Sequence, residues 1–123
     1  MPKRILLLCL LVLAACSSLQ TPPPDSGIEG TVQIGPMCPV VREGEECPDQ
    51  PYQAVLTVTS LTGERIVQVQ TEADGTFHIP LAPGEYILRP ESPNVMPFAQ
   101  EQSFVVTEGE FTRVDVQYDS GIR

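Results

Sequence analysis

The side chains able to do chemistry are few and far apart. His78 is the single histidine of the 123 residues. Ser/His/Asp or Cys/His catalysis needs an imidazole beside a nucleophile and a third group to orient it. His78 sits in Thr76-Phe77-His78-Ile79, where alternation turns it away from the face shared by Phe77 and Ile79. That places it as a solvated strand residue, and no catalytic constellation is expected. Cys38 and Cys47 close a short loop, as a disulfide or as two ligands of a zinc site; zinc normally takes four, and the histidine is distant. Glu43, Glu45, Glu46 and Asp49 cluster in or beside that loop. Such oxygens either hold Ca²⁺ or form a solvated acidic loop, and their spacing matches no EF-hand. Glu72 and Asp74 read as turn residues. Tyr52 and Phe98 each follow a proline in a loop. With Tyr118 they are either stacking platforms for sugar rings or packing over the ends of a core, and the chain has no Trp. No cofactor is implied.

The elements that hold these groups begin after an export signal. Met1-Pro2-Lys3-Arg4 is basic and is followed by an apolar run from Ile5 to Leu13. That run is shorter than the roughly 20 residues of a membrane-spanning helix, so residues 1–15 read as a signal peptide. Leu13-Ala14-Ala15-Cys16 resembles the lipobox of bacterial lipoproteins, residues 13–16, in which the Cys is acylated and becomes the new N-terminus. The resemblance implies lipidation of Cys16, and hence a cell-membrane or outer-membrane anchor on the extracytoplasmic side. Several acyl chains on one Cys pass the threshold for stable anchoring, at about 0.8 kcal/mol per buried CH₂. In an exported domain the remaining pair, Cys38 and Cys47, reads as a disulfide, worth roughly 2.5–3 kcal/mol for a loop of this length.

Without residues 1–15 the chain keeps five Arg, no Lys and all 16 acidic residues, a formal charge of 5 − 16 = −11. A surface so acidic is repelled by phosphate backbones, which excludes nucleic acid as partner. Residues 16–26, including Ser17 to Ser26 with Pro22-Pro23-Pro24, lack apolar periodicity and read as a tether. In polyproline II geometry it reaches roughly 30 Å.

From Gly27 the pattern has period two. Extended runs are expected at Ile28–Ile34, Val55–Thr59, Ile66–Gln70, Thr76–Ile79, Tyr86–Arg89, Ser103–Thr107 and Phe111–Tyr118. Asp74-Gly75 and Pro83-Gly84 are expected to close hairpins. Seven short strands with turns every 8–12 residues predict an all-β antiparallel β-sandwich over residues 27–119, with a tail at 120–123. The loops Gly35–Pro51 and Ser92–Ala99 are the longest connections.

Thr71 to Leu88, T-E-A-D-G-T-F-H-I-P-L-A-P-G-E-Y-I-L, resembles the signature of carboxypeptidase regulatory-like domains, T-x-x-D-G-x-F followed by L-x-P-G-x-Y-x-L. Asp74, Gly75, Phe77, Leu81, Pro83, Gly84, Tyr86 and Leu88 match, and Gly27 to Val32 resembles the family's first strand. The resemblance implies a seven-strand Ig/prealbumin-like (transthyretin-like) antiparallel β-sandwich with accessory, adhesive or scaffolding roles. Distant relatives with this sandwich bind starch-like glycans. Hydroxyisourate hydrolases of transthyretin type use several His and Arg and end in Tyr-Arg-Gly-Ser; this chain ends Tyr118-Asp119-Ser120-Gly121-Ile122-Arg123 and lacks those His. The chain therefore reads as a non-enzymatic, membrane-anchored module. It would present Tyr52, Phe98, Glu43, Glu45 and Glu46 on loops to an envelope protein or polymer; carbohydrate binding is the alternative and a small hydrolase the weakest reading.

Overall fold

The computed structural model describes residues 24–39, 44 and 46–122. Cys16, the signal peptide, most of the tether, Glu43 and Glu45 lie outside them. The described residues form an all-β sandwich, as the alternation predicts. Its strands are β1 (Gly27–Gly35), β2 (Gln50–Pro51), β3 (Val55–Thr59), β4 (Arg65–Gln70), β5 (Thr76–Pro80), β6 (Gly84–Pro90), β7 (Gln102–Val106), β8 (Phe111–Arg113) and β9 (Val116–Asp119).

β1 runs through the middle of the first sheet. Antiparallel β5 and then β2 lie along one edge, and parallel β8 and then β9 along the other. The second sheet has the order β4-β3-β6-β7, all antiparallel. Inward positions of both sheets meet in one core. Ile28 and Val32 of β1, Leu56 and Val58 of β3, Leu88 of β6 and Tyr118 of β9 are fully buried. Each such side chain contributes about 1.5–3 kcal/mol relative to exposure. Phe77 and Phe104 complete the core, while Tyr86 and Ile34 pack against it half-buried.

Among the described residues two strands more than the seven expected are present, for local reasons. β2 is a two-residue rung against Gln33 and Ile34, too short and too proline-bound to carry a period. The last run divides at Val114-Asp115. There the Asp115 carboxylate accepts the Thr31 N–H at 3.1 Å and the Thr31 hydroxyl at 3.2 Å, taking over contacts a strand carbonyl would make. Gly30 makes this junction possible, because a Cβ there would lie 1.8 Å from the Val114 carbonyl oxygen.

The hairpin expectation needs correction. Gly75 N–H donates to the Glu72 carbonyl and Glu72 N–H to the Thr76 carbonyl, both at 2.9 Å, and Gly75 takes φ +82°. Asp74 caps this turn by accepting the Thr76 N–H and hydroxyl, which pull its carboxyl below the ordinary value. Beyond that single rung, however, β4 and β5 part into different sheets, and so do β5 and β6 at Pro83-Gly84. Both turns are corners between sheets. The true hairpins of the second sheet are β3–β4 and β6–β7.

Candidate functional site: the loop-bearing pole

The two ends of the sandwich differ. At one end the chain enters β1 through Ser26, whose buried hydroxyl donates to the Leu81 carbonyl at 2.7 Å. Leu81 N–H returns to Ser26, and Gly27 N–H donates to Glu110, so this end is closed by backbone bonds between short turns.

The opposite end holds both long loops. β1 leaves at Gly35 and β9, parallel to it, leaves at Asp119, so the two C-terminal ends emerge together. The Cys38–Cys47 disulfide staples the first loop, with Cα atoms 6.2 Å apart. Asp49 ties the loop's return to β9 by accepting the Gln117 amide at 2.8 Å. Gly35 leaves the space for it, since a Cβ there would meet the Asp49 carboxylate at 1.9 Å. Ser120 N–H donates to Gly35 at 3.0 Å, and its hydroxyl donates to the Pro36 carbonyl. The second loop is held to the same tail by a pair of backbone bonds between Phe98 and Asp119, 3.0 and 2.7 Å. Val95, 86% exposed, and Phe98, 50% exposed, project from it.

Tyr118 supports this pole from below. Its ring is fully buried, its hydroxyl donates to the Glu91 carbonyl at 2.6 Å, and the Tyr52 ring packs edge-on against it at 4.8 Å. Burial, aided by Tyr52 and Glu91, pushes the Tyr118 phenol up to about 12.

Between the start of β3 and the end of β6 lies an open groove of about 420 Å³. Tyr52, Gln53, Ala54, Val55, Gln68, Glu91, Ser92 and Pro93 line it. A chain of polar contacts floors one side. Arg65 donates to Gln68, Gln68 to the buried Thr57 hydroxyl, and Thr57 to Glu91 Oε1, at 3.1, 2.9 and 2.8 Å. Arg89 Nε reaches the same Glu91 oxygen at 3.2 Å.

The expected site residues therefore separate. Tyr52 borders the groove, half-buried, and Phe98 is exposed on the neighbouring loop. Glu46 is exposed beside the disulfide, while Glu43 and Glu45 lie outside the described residues. Tyr118 is not a platform: it is fully buried because it shares the inward face of Val114 and Val116. His78 is exposed as its alternation predicts, stacked on Phe111 at 4.1 Å, with Glu29 at 3.5 Å. Among the described residues no three His, Cys, Asp or Glu side chains converge as metal ligands. Sequence reasoning missed Gln53, Gln68, Glu91 and Ser92, which reach the groove from three separated segments. No local signal marks them; only the outward position of Gln68 on β4 hints at a surface role.

Fold and site together define a small β-sandwich module with one elaborated pole. Among solved structures the chain is similar to GBS52, the minor pilin of the Gram-positive pathogen Streptococcus agalactiae, with a TM-score of 0.57 and 12% identity. That match covers 80% of this chain and 46% of the pilin. It is also similar to the Bacillus anthracis TIE protein, with a TM-score of 0.50 and 19% identity over 77% of this chain and 17% of that one. The chain thus spans less than half the length of either, and at these identities the likeness is one of fold. No protein-family model matches the chain, and no curated protein does.

Proposed function

We propose that the chain is a lipid-anchored, extracytoplasmic binding module of the cell envelope, without catalytic activity, which engages its partner at the loop-bearing pole. The observation that carries this reading is the opposition of the two poles. The chain enters β1 at Gly27 and the stapled loop leaves it at Gly35. Nine residues of strand put about 30 Å between the tether and the loops. An anchor at Cys16 would then hold the short turns toward the lipid and the stapled loop, Val95 and Phe98 away from it. The lipobox-like residues 13–16, the proline tether and the strongly acidic surface support this placement. The motif at Thr71–Leu88 supports kinship with carboxypeptidase regulatory-like domains, and a minor pilin with a similar sandwich is in keeping with a non-catalytic role.

Two measurements on cells test the reading. A clickable fatty acid should label the wild-type chain and not Cys16→Ser, which should leave the membrane fraction. A photocrosslinking residue at Val95 should capture an envelope component, whereas one at Thr62, in the turn at the other pole, should capture none. Equal capture from both positions would sink the polar arrangement.

Carbohydrate binding is a second reading, favoured by the position of Tyr52 at the wall of the groove.

A further inference from the structure

We infer that the groove between the start of β3 and the end of β6 is a binding site for a neutral saccharide. The inference deepens the reading of the chain as a binding module and rests on it for biological context. The volume, about 420 Å³, falls within the range of small-ligand sites. Its walls combine two chemistries. The Tyr52 ring, Ala54, Val55 and Pro93 offer apolar surface, which suits the C–H face of a pyranose. Beside it, several polar atoms have no partner among the described residues: the Tyr52 hydroxyl, the Gln53 Oε1 (its Nε2 is spent on the Thr71 carbonyl at 3.0 Å), the Glu91 Oε2 and the Ser92 hydroxyl. This set is rich in acceptors, so it calls for a ligand rich in O–H donors.

Charge narrows the class further. An anionic ligand would face the Glu91 carboxylate on a domain of strongly negative net charge. A cationic ligand finds that carboxylate already met by Arg89 at 3.2 Å, and one aromatic ring forms no cage for an ammonium group. A neutral polyhydroxylated ligand satisfies the free acceptors without displacing Arg89. The polar floor also holds still: Thr57 is fully buried and fixes both Gln68 and Glu91.

The test uses the full chain in a zwitterionic detergent, because alkyl-glycoside detergents would compete. Maltohexaose, cellohexaose and chitohexaose are titrated by calorimetry and by tyrosine fluorescence, which no Trp obscures. Spermine and a neutral Ala-Gln hexapeptide serve as the cationic and peptide arms. At least one hexasaccharide should bind, with affinity falling tenfold or more in Tyr52→Ala, Glu91→Gln and Gln53→Ala. His78→Ala, on the other sheet, should bind as wild type does. Tyr52 packs on Tyr118, so its variant is read only with an unchanged circular-dichroism spectrum; Gln53→Ala, at an exposed residue, and Ser92→Ala, at a half-buried one, carry the test if it fails to fold. No saturable binding of any hexasaccharide, binding unchanged in all the groove variants, or binding of spermine or peptide alone would overturn the inference. Sugars failing while Val95 still crosslinks on cells would remove the groove and leave the display reading standing. Loss of both the lipid label and the crosslink, with sugar binding intact, would do the reverse.

Discussion

The two poles are closed by different means. At the end where the chain enters β1, turns at Leu61-Thr62-Gly63, Ala82-Pro83-Gly84 and Glu108-Gly109-Glu110 reverse the chain within a few residues. Ser60 and Glu64 close the first by a 2.8 Å backbone bond, with Gly63 at φ +94°. Little more than turn chemistry is needed there. At the other pole two loops of eight residues or more leave the sheets, and ordering them costs conformational entropy that no ladder offsets. They are held instead by scattered devices: the disulfide, Asp49 on Gln117, Phe98 on Asp119, and Tyr118 beneath Glu91. Local turns can be written in adjacent residues, whereas the loop pole requires partners from 9 to 68 positions apart.

That contrast can be broken most strongly at Tyr118. Tyr118→Ala empties a fully buried site and frees both Tyr52 and the Glu91 carbonyl. A loss of about 3–5 kcal/mol in urea unfolding is expected, by analogy with other buried aromatics. Amide exchange should accelerate first in residues 91–99 rather than in the three short turns. A global and uniform acceleration would argue against separate closure of the two poles.

Removing the disulfide should act on one pole alone. Cys38→Ser with Cys47→Ser should cost roughly 2.5–3 kcal/mol on chain-entropy grounds. Exchange should rise through residues 36–51 with the Ser60–Glu64 and Thr107–Glu110 turns unaffected. An unchanged unfolding midpoint would show that Asp49 and Gln117 suffice.

The smallest effect is alkaline. Folding raises the Tyr118 phenol from about 10 to about 12, so the fold favours the neutral form. Its contribution is fully present below pH 10 and is lost as pH rises through 12. The loss is on the order of 2 kcal/mol by linkage. Stability measured from pH 9 to 12 should fall in wild type and fall less in Tyr118→Phe. Parallel curves would assign the alkaline loss to other groups.

Much of the fold was legible because alternation is local. Val114, Val116 and Tyr118 share a face in any extended chain, and that alone predicts Tyr118 as core, against its reading as a platform. Gly27 and Gly30 belong to a recognisable first strand, and the structure supplies the reason at Gly30, where the Val114 carbonyl passes. What was not legible depends on tertiary partners. Asp74-Gly75 specifies a turn but not whether the next strand joins the same sheet. The break at Asp115 arises only because Thr31 lies opposite, 84 positions away in the chain. The groove draws on residues 52–55, 68 and 91–93, and no window of sequence contains it.

The central position of β1 has a mechanical consequence. A pull applied at Ser26 is delivered to a strand flanked on both edges, by β5 and β2 on one side and by β8 and β9 on the other. If the opposing grip is at the far pole, the force runs along β1, and its ladder bonds are loaded together in shear instead of peeling one at a time. An edge strand in the same place would bear the same load on a single ladder. The topology thus makes the first strand of the sandwich the one best suited to carry tension.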